Sequence, residues 1–146
     1  LGQSISTADD GSIYITGYTS GDLDGQTNSG YADAFISKYN SDGSKQWTQL
    51  LGTSLSSGEL GYSISTAADG SIYITAFTTG DLDGQTNSGD RDAFISKYNS
   101  DGSTQWTRLL GTSSFDVGQS ISTAADGSIY ITGATSGNLD GQTNNG

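Results

Sequence analysis

The chain has 146 residues, of which 16 are Asp or Glu and 5 are Lys or Arg, so its formal net charge is −11. It contains no Cys, His, Met or Pro, which excludes thiolate and imidazole catalysis, disulfide bonds and soft-metal sites from these residues. The negative charge argues against nucleic acids and anionic membranes as partners, because both bind cationic surfaces. No apolar run reaches the roughly 18 residues that a membrane-spanning helix needs.

Four short stretches at the start of the chain are rich in the β-branched and aromatic residues typical of strands. Strand A is predicted over 4–7, strand B over 12–19, strand C over 34–39 and strand D over 45–51. The segments ADDG and NSDG separate A from B and C from D, and their Asp-Gly pairs suit hairpin turns that need positive φ. No apolar stripe of helical period is present, so we predict an all-β fold.

The same elements then recur along the chain. SISTADDGSIYITGYTSGDLDGQTN at 4–28 returns with few changes at 63–87 and 120–144, and the segment at 33–54 returns at 92–113. A fixed period of roughly 60 residues indicates an array of supersecondary units. The copies differ in length between Leu51 and Ile64, where we predict a surface loop.

Four antiparallel strands per repeat describe a β-propeller blade. The segments DGSIYITGYTSGD, DAFISKYNSDGSKQWT and LGYSISTAADGSIYIT resemble the bacterial β-propeller repeat family abbreviated SBBP, and the resemblance covers essentially the whole chain. It implies propeller blades in secreted or surface-attached bacterial proteins. We therefore expect a first blade over 1–59, a second over 60–118 and a half blade of strands A and B over 119–146.

Two and a half blades are fewer than the roughly four to eight of closed propellers. The chain starts at Leu1 without an initiator Met, and we expect it to be part of a longer array or of a homo-oligomer. Incomplete rings leave open sheet edges, which bind other strands unless something covers them. An isolated monomer is therefore not expected to be the functional unit, and the expected partner is another copy or neighbouring blades.

The acidic segment GDLDGQTNSG between strands B and C has carboxylate and amide oxygens at a spacing similar to that of a calcium loop. The predicted ligands are Asp22, Asp24, Asn28 and Asp33 in the first copy and Asp81, Asp83, Asn87 and Asp92 in the second. The loop departs from the calcium pattern because glycine stands at position 4 and Asp at position 12. The alternative is that these side chains cap their own backbone without an ion. Calcium is the one cofactor that the sequence suggests.

The repeated aromatic residues also have two interpretations. Tyr14, Tyr73 and Tyr130 alternate with isoleucines in strand B, and Trp47 and Trp106 lie in strand D. Packing between stacked blades explains them best, because both faces of an internal blade are buried. The alternative is a repeated site for sugars, with an aromatic face stacking on a pyranose ring.

Catalysis is not predicted. Paired carboxylates such as Asp9 and Asp10 could serve as acid and base, but each pair belongs to a repeated turn. Glu59 and Asp116, in the loop of variable length, are the carboxylates that we interpret as breaking the repeat symmetry. We therefore predict a non-enzymatic scaffold, extracellular or on the bacterial cell surface. The alternative is a multivalent carbohydrate-binding module, assisted by calcium, since linked weak sites gain avidity.

Overall fold

The computed structural model describes residues 1–54 and 58–145. This part of the chain forms ten β-strands and no helix, which confirms the all-β prediction. The strands are β1 (Gly2–Thr7), β2 (Ile13–Thr19), β3 (Asp33–Tyr39), β4 (Lys45–Leu51), β5 (Leu60–Thr66), β6 (Ile72–Thr78), β7 (Asp92–Tyr98), β8 (Thr104–Leu110), β9 (Asp116–Thr123) and β10 (Ile129–Thr135). A search of the described residues for a helix able to cross a membrane finds none.

The strands pair into antiparallel sheets in chain order. One sheet has the order β1-β2-β3-β4, a second has β5-β6-β7-β8, and the third consists of β9 and β10. Each strand therefore pairs with its neighbour in sequence, as the predicted hairpins require. The predicted boundary at residue 118 falls inside β9, so the third sheet begins at Asp116, earlier than the sequence indicated.

The turn between β1 and β2 shows why the strands end where they do. The Gly11 amide donates to the Ala8 carbonyl at 3.0 Å, and the Ala8 amide donates to the Ser12 carbonyl at 2.9 Å. Gly11 has φ of +82°, so the turn needs a residue without a Cβ atom. This is a type I turn followed by a glycine bulge, a common hairpin connection. The NSDG turns at 40–43 and 99–102 and the AADG turns at 67–70 and 124–127 have the same two backbone bonds.

Successive sheets are joined through their first strands. The hydroxyls of Ser6 and Thr66 are 3.0 Å apart, and those of Ser65 and Thr123 are also 3.0 Å apart. β5 contacts β1, β2 and β3 of the preceding sheet, and β9 contacts β5, β6 and β7 in the same way. Equivalent residues therefore make equivalent contacts at both junctions.

Glycine lets the sheets approach closely at these junctions. A Cβ atom on Gly61 would lie 2.7 Å from the Gly17 carbonyl oxygen and 2.7 Å from Thr16 Oγ1. Gly118 occupies the same position at the second junction, against Thr75. A side chain at either glycine would push the sheets apart.

The core lies between the first two sheets. Its buried residues include Tyr14, Ile36, Ile74 and Phe94, and β6 is buried along its whole length. This agrees with the prediction that both faces of an internal sheet are covered. β10 is mostly exposed although its sequence is nearly that of β6, because no further sheet covers its outer face in the described residues. The predicted packing of Tyr130 is therefore wrong for this structure.

The loop predicted to vary in length joins the fourth strand of one sheet to the first strand of the next, between β4 and β5 and between β8 and β9. Residues 55–57 of this loop lie outside the described residues. After them, the Glu59 amide donates to the Ala32 carbonyl at 2.7 Å, which ties the start of the second sheet to the first.

Candidate functional site

The repeated acidic loop connects the second and third strands of each repeat, over 20–32 and 79–91, with a third copy after β10. At its tip, Leu23 and Gln26 exchange two backbone hydrogen bonds of 3.0 and 2.9 Å. Asp24 and Gly25 between them have φ of 54° and 77°. Positive φ at both central positions defines a type I′ turn, for which Asp-Gly is a preferred sequence. The positive φ of the aspartate was not predicted from the sequence.

Asp22 and Asn28 close the loop above this turn. The Asn28 amide donates to Asp22 Oδ1 at 3.0 Å, and Asn28 Nδ2 donates to the Thr19 carbonyl at 2.9 Å. The Gly30 amide donates to Asn28 Oδ1 at 3.1 Å. Both predicted ligands thus satisfy backbone groups of their own loop, which is the usual work of Asp and Asn in turns.

The later copies repeat this closure. Asp81 accepts from the Asn87 amide at 2.9 Å. In the third copy Asn138 stands in place of the aspartate, and its Oδ1 accepts from the Asn144 amide at 2.8 Å. The uncharged Asn138 side chain therefore accepts the same hydrogen bond as Asp22 and Asp81. This position needs a side-chain oxygen that accepts a hydrogen bond, and the oxygen need not be charged.

Asp24 turns toward the neighbouring strand β4. Thr48 Oγ1 donates to Asp24 Oδ2 at 2.5 Å, and Lys45 forms an ion pair with Oδ1. The hydrogen bond from Lys45, followed by that from Thr48, holds the pKa of Asp24 below its ordinary value. Asp83 keeps the threonine bond, with Thr107 Oγ1 at 2.6 Å.

Asp33 is the most enclosed member of the predicted set. It is the first residue of β3 and is fully buried. The Ser29 amide donates to its Oδ2 at 2.8 Å, while Oδ1 has no hydrogen-bond partner among the described residues. Asp92 repeats the arrangement with the Ser88 amide, also at 2.8 Å. This burial was not predicted, because aspartate is normally an exposed residue.

The predicted calcium ligands are therefore divided between different partners. Asp22 and Asn28 bind the loop backbone, Asp24 binds β4 side chains, and Asp33 binds the Ser29 amide. Across residues 1–54 and 58–145, no group of three acidic, His or Cys side chains is placed to hold a metal ion. Calcium binding remains a prediction that the geometry of these bonds does not favour.

Glu59 and Asp116 occupy equivalent places, two residues before Gly61 and Gly118 respectively. They do not break the repeat symmetry, contrary to the sequence analysis. Both are buried. Their role is to hold the connection between successive sheets, where each accepts hydrogen bonds from a threonine.

Both carboxylate oxygens of Glu59 accept hydrogen bonds, whereas only one oxygen of the shorter Asp116 does. Glu59 accepts from the Thr53 amide at 2.8 Å, from the Thr53 hydroxyl at 2.9 Å and from Thr78 Oγ1 at 2.9 Å. Asp116 accepts from the Thr112 amide at 2.6 Å and the Thr112 hydroxyl at 2.8 Å, through Oδ2 only. Within residues 1–54 and 58–145, its Oδ1 has no hydrogen-bond partner. The shorter side chain thus leaves one buried oxygen unpaired.

The repeated tyrosines pack inside the structure in the two complete sheets. Tyr14 lies against Trp47 with ring centroids 6.0 Å apart, and Lys38 Nζ is 5.5 Å from the centre of the same tyrosine ring. Tyr73 and Trp106 repeat the pair at 6.0 Å. The pairing register aligns Tyr14 with Lys38 and Lys38 with Trp47, so all three lie in one row across the sheet. Packing is therefore the role that the structure gives to these aromatics.

Arg91 forms a contact that the first repeat lacks. Its guanidinium lies 4.5 Å from the ring centre of Phe77 and 4.9 Å from that of Phe115. Ala32 stands at the equivalent place in the first repeat. The guanidinium thus bridges the second and third sheets by stacking on aromatic rings.

Comparison with known proteins adds one similarity. No family model matches the chain. The chain is similar to the regulatory protein FlaEY of Caulobacter vibrioides, with 28% identity over 149 aligned residues that include 92% of this chain. The chain spans 15% of the length of that relative.

Proposed function

We propose that this chain is a non-enzymatic structural and interaction scaffold, made of repeated four-stranded sheets that stack as the blades of a β-propeller do. One observation carries the proposal. Thr66 Oγ1 donates to the Thr7 carbonyl at 2.8 Å, and Thr123 Oγ1 donates to the Thr66 carbonyl at 3.0 Å. A junction that uses the same residues each time can be extended by further copies, as in other repeat proteins.

The strand order supports the blade arrangement. Each complete sheet has its four strands in sequence order, and the first strands β1, β5 and β9 lie beside one another. In a propeller the first strands of the blades surround the central axis. The SBBP-like motifs lie on the strands that this arrangement needs, with DAFISKY forming β3 and β7.

The acidic loops then form a surface suited to interaction. Because the first strands align through equivalent residues, the three acidic loops lie at one end of the stack. Asp22 and Asp81 are exposed there. We propose that this end contacts other proteins outside the cell or at its surface, a location that the acidic, cysteine-free composition favours.

The scaffold is preferred to carbohydrate binding because of the tyrosines. A sugar platform needs an exposed aromatic face, and the repeated Tyr14 and Tyr73 are buried against tryptophans. The similarity to a segment of FlaEY supports a modular role, since that segment is a small part of a much longer protein.

A glycan array probed with the whole chain, with and without calcium, tests this choice. The scaffold predicts no reproducible binding in either condition. Binding of a defined sugar that is lost when the chelator EDTA is added would replace the scaffold by the calcium-assisted lectin. Protease treatment of intact source cells tests the location, and protection of the chain from the protease would contradict an exposed position.

A further inference from the structure

The outer edge of β10 differs from the same edge of β2 and β6. β2 pairs with β1 on one side and β3 on the other, and β6 pairs with β5 and β7. β10 pairs with β9, and no other strand of the described residues pairs with it. Its sequence, IYITGAT, differs from that of β2 at one position. Nearly the same strand sequence is therefore paired on both edges in β2 and β6 and on one edge in β10.

Tyr130 of β10 is exposed because no third and fourth strands of the described residues lie beside it. The equivalent side chains Tyr14 and Tyr73 are 1% and 5% exposed, whereas Tyr130 is 60% exposed. In the complete sheets the cover is a lysine from the third strand and a tryptophan from the fourth. Tyr130 has neither.

A cavity of about 160 Å³ lies beside this edge, between the second and third sheets. Its lining is mostly apolar and includes Ala93, Leu110, Ile131, Gly133 and Leu139.

The same positions one repeat earlier are filled. They are Ala34, Leu51, Ile74, Ala76 and Leu82, and all belong to the buried core. That core also contains Phe94, which comes from the third strand of the second sheet and is fully buried. The cavity is therefore the place that a phenylalanine of a third strand occupies at the earlier junction.

We propose that the β10 edge is an acceptor site for a β-hairpin with the sequence pattern of β7 and β8, the second half of a repeat. The hairpin adds its first strand to β10, places its phenylalanine in the cavity, and covers Tyr130 with its lysine and tryptophan. Backbone bonds supply the general affinity and the two aromatic contacts supply specificity, as in other cases of strand addition. This inference rests on the proposed scaffold, because it names the partner through which the scaffold extends.

The experiment uses the whole chain and a fluorescein-labelled peptide with the sequence of residues 92–110. Fluorescence anisotropy is expected to show saturable binding. Replacing the phenylalanine of the peptide by alanine should weaken binding at least about tenfold, since a central buried anchor carries much of the affinity of such contacts. Tyr130→Ala in the chain should also weaken it, and we expect this variant to stay folded because the side chain is 60% exposed.

Ile5→Ser provides the matched control in the chain. Ile5 is 64% exposed and lies on β1, away from the acceptor edge, so the variant should bind the peptide as the unaltered chain does. Hydrogen exchange gives a second readout, with new protection expected in β10 when the peptide is present.

Two results would overturn the proposal. One is the absence of saturable binding up to millimolar peptide. The other is a dimer of the chain, seen by sedimentation, that Tyr130→Ala dissociates, because β10 would then pair with its own copy. Either result leaves the scaffold itself intact if the threonine bonds between successive sheets still stabilise the chain, so the two failures are distinguishable.

Discussion

Thr66 donates its hydroxyl to the main-chain carbonyl of Thr7 in the preceding sheet, at 2.8 Å. Thr123 makes the same bond to Thr66 one repeat later, at 3.0 Å. The last threonine of β5 and that of β9 therefore link their own sheets to the one before. Thr7, at the same place in the first sheet, has no earlier sheet in the described residues to which it could donate.

Thr123→Val should destabilise the chain by about 1–2 kcal/mol, because it removes the hydrogen bonds of the Thr123 hydroxyl to the Thr66 carbonyl and to the Ser65 hydroxyl and leaves a partly buried carbonyl without its donor. Urea unfolding measures the change. Thr7→Val is the control and should have a smaller effect, since no bond between sheets is lost. Equal losses for the two variants would contradict the linking role of the hydroxyl.

Tyr73→Ala and Tyr130→Ala compare one residue type in two environments. Tyr73 is buried against Trp106, so its removal should cost about 3 kcal/mol through lost burial and a cavity. Tyr130 is exposed, and its removal should change the free energy of unfolding by less than about 0.5 kcal/mol. Thermal and urea unfolding check both values. A large loss for Tyr130→Ala would mean that its ring is packed.

Asp22→Asn should leave stability nearly unchanged, because Asn138 makes the same bond in the third copy. Asp22→Ala should cost up to about 1 kcal/mol by removing the acceptor of the Asn28 amide. The same samples test calcium. A ligand that binds the folded chain raises the melting temperature, and we expect millimolar calcium or EDTA to leave it unchanged. A calcium-dependent rise that Asp22→Asn abolishes would establish the metal site.

Acid should destabilise the hairpin turns of sequence ADDG, NSDG and AADG, in which a serine follows the Asp-Gly pair. The backbone amide and the hydroxyl of the serine two residues on hold the carboxylate pKa below its ordinary value in each of them. The residues are Asp10, Asp42, Asp69, Asp101 and Asp126. A pKa lowered by folding stabilises the chain above the unfolded value, about 3.9, and this stability is lost as the pH falls through the folded value.

Urea unfolding between about pH 5 and pH 2 measures this effect. Asp42→Asn keeps an acceptor for the Ser44 amide but does not titrate, so its stability should fall less steeply with acid than that of the unaltered chain. The difference between the two curves isolates Asp42 from the relief of repulsion that protonation brings to a chain of charge −11. Parallel curves would contradict the bond between Asp42 and Ser44.

The strands and turns could be predicted from the sequence because their signals are local. The Asp-Gly turns ended the predicted strands within two residues of their observed limits at both the β1–β2 and the β3–β4 hairpins. The near-identity of the copies made each element visible more than once. Gly11 is an example of such a local signal, because its positive φ is required by the hairpin turn itself and not by contacts with distant residues.

The site was less predictable because its chemistry depends on contacts between distant residues. Nothing local distinguishes Asp33, which is buried, from Asp22, which is exposed. The bonds from Thr53 and Thr78 to Glu59 join two sheets, and a self-alignment does not show them. Tyr130 differs from Tyr73 only in what lies beside it.

Residue-resolved hydrogen exchange of β2, β6 and β10 tests the stacking of the repeats most directly. The three strands have nearly the same sequence, and β2 and β6 are both central in four-stranded sheets. Stacking predicts the strongest protection in β6, which is covered on both faces, less in β2, and the least in β10. Equal protection of β2 and β6 would show that the sheets do not stack, and would contradict the account.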